Sequence, residues 1–162
     1  MPLQFYTIGA YGSTPDRYFA ALSDAKIDTF CDIRSRRGVR GSEYSFVNSI
    51  RLQNELAKLG IRYIHLSTLA PSAEIRQRQV KSDTKAHIAK RKRKELSEEF
   101  VAGYRQTILS NFDTSTFVAA LPPDAKRVAL FCVEREPSAC HRSLLAERLE
   151  LDLGTAVTHL LP

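Results

Sequence analysis

Arg127-Val128-Ala129-Leu130-Phe131-Cys132-Val133 is an apolar run that opens on one charge and is left at Glu134. An apolar stretch without polar alternation reads as a strand buried on both faces, as at the centre of a parallel sheet. Past it, Pro137 turns the chain, and Cys140 to Leu151 follows with an amphipathic helical pattern. Ala156-Val157-Thr158-His159-Leu160 then reads as a last strand. Strand, helix and strand in this order form the repeating unit of a parallel sheet with crossover helices.

The same alternation extends upstream. Phe5-Tyr6-Thr7-Ile8 is strand-like and ends at Gly9. Ser13/Thr14-Pro15 opens a helix with Tyr18, Phe19 and Leu22 on one face. Thr29-Phe30-Cys31-Asp32-Ile33 predicts a second strand. Phe46 to Leu59, with Ile50, Leu52, Leu56 and Leu59 spaced as in a helix, closes at Gly60. Ile61-Arg62-Tyr63-Ile64-His65-Leu66 alternates like a strand. Lys81 to Leu109 is helical in pattern, although Lys90-Arg91-Lys92-Arg93-Lys94 leaves no apolar face, and Thr114 to Leu121 is a short helix stopped by Pro122-Pro123. The expected fold is a single-domain three-layer α/β/α structure over residues 1–162. Its sheet is mostly parallel and roughly five-stranded, with a basic helical insertion at about 71–111.

Composition narrows the class. In 162 residues, 43% are apolar and 26% charged, which suits a packed core and excludes wholesale disorder. No apolar stretch is long enough to span a bilayer. The opening Met1-Pro2-Leu3-Gln4 lacks a basic leader, and three cysteines without framework spacing suggest free thiols, so the expected location is cytoplasmic. Of the net charge of +6, the segment from Pro71 to Arg105 supplies +5: ten Lys/Arg against five Asp/Glu. A second basic cluster runs from Arg34 to Arg40. This distribution favours an acidic partner, a nucleic acid or a nucleotide, over a membrane; the bland alternative is a solvated charged face.

Alternation also predicts where chemistry gathers, because residues just past the strand ends meet at the sheet's carboxyl edge. There the sequence brings Gly9, Tyr11, Asp32, Arg34, His65, Cys132, Glu134, Cys140, His141 and Arg142. Candidate catalytic groups are Asp32 or Glu134 as general acid/base, with Cys140 and His141 at the start of a helix. A helix N-terminus favours anions and lowers a thiol's pKa, which makes Cys140 a candidate nucleophile and Arg34, Arg40 and Arg142 candidate anion ligands. Arg36, Arg37, Lys90, Arg91, Lys92, Arg93 and Lys94 are the candidate nucleic-acid contacts. Asp32 and Arg34, two apart on a strand, point to one side and are also placed to pair with each other. A zinc site from Cys132, Cys140 and His141, with His65 or Glu134, lacks the usual close Cys-x2-Cys pair, so no metal is expected. No cofactor is indicated either. His87 and His159 read as ordinary surface or core histidines.

Four elements carry a family resemblance: Tyr6-Thr7-Ile8-Gly9, Asp32-Ile33-Arg34, Gly60-Ile61-Arg62-Tyr63, and Cys132-Val133-Glu134 with Cys140-His141-Arg142. With them, the chain resembles the domain of unknown function 488 family over nearly its whole length. The Cys-x-Glu-x5-Cys-His-Arg element is the distinctive part. Where the family commonly continues Asp-Val-Arg with proline and Ser-Arg, this chain has Ser35-Arg36-Arg37-Gly38-Val39-Arg40, and only Arg40 keeps its place. Leu69-Ala70-Pro71 replaces a frequent glycine pair. The resemblance implies the fold and marks Asp32, Arg34, Arg40, Cys132, Glu134, Cys140, His141 and Arg142 as the site; it implies no reaction. Three functions follow as expectations: an enzyme-like site for a phosphate-bearing ligand, a non-catalytic nucleic-acid-binding module, or a structural or partner-binding domain.

Overall fold

The computed structural model describes residues 2–162. Five strands form one sheet, β1 (Gln4–Ile8), β2 (Thr29–Asp32), β3 (Arg62–His65), β4 (Arg127–Phe131) and β5 (Thr158–Leu160). Its order is β3-β2-β4-β1-β5, and every pairing is parallel. The apolar run at Arg127–Val133 is thus the middle strand, which explains its lack of alternation. Successive residues face opposite sides, yet Val128, Ala129, Leu130 and Phe131 are all fully buried. Both faces of the sheet are therefore covered, as expected of a single-domain α/β fold.

Six helices supply that cover: α1 (Pro15–Asp24), α2 (Ser49–Lys58), α3 (Ala73–Lys85), α4 (Glu98–Thr107), α5 (Thr114–Ala120) and α6 (His141–Leu153). Their starts follow capping chemistry. Thr14, Ser72, Ser97 and Asp113 each accept a backbone N–H of the first turn through a side-chain oxygen. Gly154 ends α6 in the left-handed conformation at φ 69°. Along α2 only Leu52 and Leu56 are buried; Ile50 is 77% exposed, and Leu59 lies past the last turn. The apolar stripe there is narrower than its sequence spacing indicates.

The expected helix from Lys81 to Leu109 is two helices with a break. α3 ends at Lys85, His87 turns the chain at φ 57°, and Lys90–Lys92 form one short 3-10 turn before α4 begins at Glu98. Five consecutive like charges leave no apolar stripe and repel along any continuous helix, so an irregular crossing wins.

Register places the site. Ile8 and Asp32 both pair with Phe131, and Asp32 pairs with His65, so four strands end in one row. The residues that follow them, Gly9, Ile33-Arg34, Leu66 and Cys132-Val133-Glu134, meet beyond that row.

Candidate functional site

Beyond the row of strand ends lies a cavity of about 630 Å³. Its floor is Cys132, Val133 and Glu134 from the exit of β4, with Cys140 and His141 at the start of α6. Its walls carry Arg34, Arg36, Arg40, Arg76, Lys90, Arg91 and Arg93. Facing these seven cations are two acids, Asp83 and Glu134, a balance of +5 around the opening. A broader depression on α2, lined by Arg37, Ile50, Arg51 and Lys58, holds no thiol or imidazole and lies outside this chemistry.

The floor depends on close backbone approach. A Cβ on Gly9 would stand 1.9 Å from the Glu134 carbonyl oxygen, so the β1 exit can lie against the β4 exit only with glycine there. The fully buried Arg142 fastens the same turn. Its Nη1 donates to the Glu134 carbonyl at 2.6 Å and its Nη2 to the Arg135 carbonyl at 3.0 Å. Expected as an anion ligand, Arg142 instead points inward as a backbone clamp and is outside the cavity lining.

Asp32 is also turned to structure. It is wholly buried, with Oδ1 accepting from Arg34 Nε at 2.8 Å and Oδ2 from Arg34 Nη2 at 2.7 Å and Tyr63 Oη at 2.6 Å. All its strong acceptor directions are taken, and it does not line the cavity; the reading of Asp32 as a general acid/base gives way to one of Asp32 as a buried ion-pair partner. Arg34, held by that pair, also donates to the Val47 carbonyl and lies 4.6 Å over the Phe131 ring. Its Nη1 has no partner, although the residue is 5% exposed and lines the cavity.

The basic run divides in the same way. Arg93 is nearly buried: Nη1 meets Asp83 at 2.8 Å, Nη2 meets Glu134 Oε1 at 2.9 Å, and both Nε and Nη2 donate to the Ala139 carbonyl. Arg91 lies over Tyr11 and Tyr44, at 5.0 and 4.9 Å from the ring centroids, and donates to the Arg40 carbonyl. Lys90 lines the opening, while Lys92 and Lys94 are exposed outside it. Arg36 and Arg40 reach the cavity; Arg37 faces the α2 depression.

At the floor, Cys132 Sγ donates to Glu134 Oε2 at 3.4 Å, and Cys140 Sγ lies 3.7 Å from His141 Nδ1. The sulfurs of Cys132 and Cys140 and Nδ1 of His141 all fall within 4.8 Å of one another. His141 Nε2 is 3.0 Å from the Ile33 carbonyl. Burial opposes a charged Cys140, but the Cys132 thiol, His141 and Arg142 outweigh it and hold its pKa well below the ordinary thiol value. Cys132 moves the opposite way, raised by its hydrogen bond to Cys140 and by burial. The two thiols thus shift in opposite directions as a coupled pair. His141 is raised, because the Cys140 thiolate more than offsets its burial. Burial also raises the Glu134 carboxyl, with Cys140 adding to the effect. In contrast, Cys31 in β2 is pushed up to about 12 by burial, and then by Asp32.

Arg76, Gln79 and Asp83 were not singled out from sequence, yet all three line the cavity from α3. Their three- and four-residue spacing is a polar stripe on a helix face, and Gln79 on it is buried. That stripe was the available signal. His65, whose Nε2 meets the Arg34 carbonyl at 2.7 Å, serves the β2 exit and stands apart from the thiols.

Fold and site together define a parallel α/β protein with a thiol-, imidazole- and carboxylate-bearing cavity at the sheet's carboxyl edge. Residues 14–149 match the family model described as domain of unknown function DUF488, and the chain belongs to that family. No curated protein and no solved structure matches the chain. Among the described residues, no helix is long and apolar enough to cross a membrane.

Proposed function

We propose that the cavity is an enzyme-like site for a phosphate-bearing ligand, a nucleotide or the end of a nucleic-acid strand, acting in the cytoplasm. The carrying observation is that Arg36, Arg40, Arg76 and Lys90 line a concave opening above the thiols with no carboxylate partner among the described residues. Arg93 is already neutralised by Asp83 and Glu134, so Arg36, Arg40, Arg76 and Lys90 are the cations available to a ligand, with the spare Nη1 of Arg34 beneath them. Cys140, His141 and Glu134 are the groups placed to act on what those cations hold.

Equilibrium titration with a nucleoside triphosphate and with a short single-stranded oligonucleotide tests this reading. Binding should weaken about tenfold or more in Arg36→Gln/Arg40→Gln, a loss of roughly 1.4 kcal/mol. Equal affinity in that variant, or none for either probe at low salt, overturns it. A second reading, a nucleic-acid-binding module without catalysis, draws on the exposure of Lys92 and Lys94 beside the opening. It expects the oligonucleotide alone to bind, with Cys140→Ser leaving that affinity unchanged.

A further inference from the structure

We propose that Cys132, Cys140 and His141 bind a zinc-class divalent ion whose fourth position opens into the cavity. This goes beyond the phosphate reading and does not depend on it, because it uses the donors of the floor and none of the cations of the walls.

The donor geometry carries the argument. Two sulfurs and a ring nitrogen converge within 4.8 Å, with Cys140 Sγ and His141 Nδ1 at 3.7 Å. A tetrahedral ion with bonds of about 2.3 Å to sulfur and about 2.0 Å to nitrogen sets neighbouring donors about 3.5–3.8 Å apart. The three side chains need only settle by about an ångström or less to enclose one. The orientation of His141 agrees. The Ile33 carbonyl can only accept, so Nε2 carries its proton toward it at 3.0 Å, and Nδ1, which faces the sulfurs, is the nitrogen left to ligate an ion once it is deprotonated. A second ring nitrogen tied to a backbone carbonyl is the usual support of a metal-binding imidazole.

The donor types select the ion. Two thiolates and an imidazole favour zinc over magnesium or calcium, which seek oxygen. Both sulfurs ligate as thiolates, any proton still held on them passing to solvent, so their two charges balance a divalent ion. Among the described residues the convergent donor group has three members, and all three line the cavity, so the fourth position faces it. Three protein ligands with an open position is the catalytic arrangement, in which the ion carries water. Glu134, fixed by Arg93 and 3.4 Å from Cys132 Sγ, would be the carboxylate beside such an ion. The absence of a close Cys-x2-Cys pair has a structural reason. One sulfur comes from a strand exit and the other from a helix start, joined across the 3-10 turn at Pro137–Ala139.

The test uses the full chain, reduced and stripped by a chelator, then titrated with Zn(II) alone against a chromophoric competitor and separately with Co(II). The expected results are one ion per chain and a Co(II) spectrum with tetrahedral bands and thiolate charge transfer. Cys132→Ser and Cys140→Ser should each weaken binding by roughly 100-fold or more, beyond the usual loss for an outer-shell partner. Cys31→Ser should leave it unchanged. If the serine variants do not fold, zinc protection of two wild-type thiols from alkylation gives the same answer. No stoichiometric zinc, or a Co(II) spectrum without thiolate bands, overturns the site. Nucleotide affinity measured on the stripped protein reports on the phosphate reading separately.

Discussion

Asp32, Arg34 and Tyr63 show how one residue's surroundings decide its use. On a strand, positions two apart share a side, so the Asp32–Arg34 pairing is legible from sequence. The third partner is not, because Tyr63 arrives only when β3 pairs beside β2. That contact yields a pH prediction. Burial, and then the hydrogen bond to Asp32, push the Tyr63 phenol up to about 12. Below its ordinary value near 10 the phenol is protonated in both states. Between about 10 and about 12 the unfolded chain gives up its proton while the folded chain keeps it. The folded state then binds more protons, so stability falls as pH rises through this window. Tyr63→Phe should lose roughly 1–2 kcal/mol at neutral pH, the worth of a hydrogen bond to a charged acceptor that is partly solvent-screened. Urea unfolding from pH 8 to 11 should show a shallower decline in the variant than in the wild type. Parallel profiles would mean that the phenol titrates alike in both states.

Among the elements, the segment between α3 and α4 departs furthest from its sequence pattern. Lys90–Lys94 reads as a uniform run of charge, but its five members have different fates. Arg93 alone is drawn in, because Asp83, Glu134 and the Ala139 carbonyl converge on one guanidinium from three elements. Nothing in local sequence distinguishes Arg93 from its neighbours; the distinction comes from long-range partners. Arg142 is a similar case, an exposed-looking arginine of a helix's first turn that holds two backbone carbonyls. Arg93→Gln should therefore cost about 3 kcal/mol, since it strands two largely buried carboxylates. Lys92→Gln and Lys94→Gln, both at exposed positions, should each stay within about 0.5 kcal/mol of wild type. Denaturant midpoints measured on the three variants decide it; an Arg93→Gln protein as stable as wild type would show that the ion-pair network holds nothing in place.

At the scale of the whole molecule, strand–helix alternation was enough to read the parallel sheet, its central strand and the edge where the polar residues gather. It could not show which of those residues face a cavity, because that depends on side chains at different strand exits competing for the same partners. The charge distribution poses the same question for the ligand. Arg36, Arg40, Arg76 and Lys90 ring the opening, whereas Lys92 and Lys94 lie outside it. On the proposed reading, a mononucleotide would reach the ring alone, while a longer strand leaving the cavity would pass the outer lysines. Each phosphate neutralised along a single strand releases counterions and adds about 0.7 to the slope of log affinity against log salt. The oligonucleotide should therefore show a steeper salt dependence than the mononucleotide. In Lys92→Gln/Lys94→Gln that slope should fall by roughly 0.7 for each lost contact, with mononucleotide binding and stability unchanged. Because neither lysine joins the buried network, a change in slope cannot be traced to misfolding. An unaltered slope would assign both lysines to solvent and confine the ligand to the cavity.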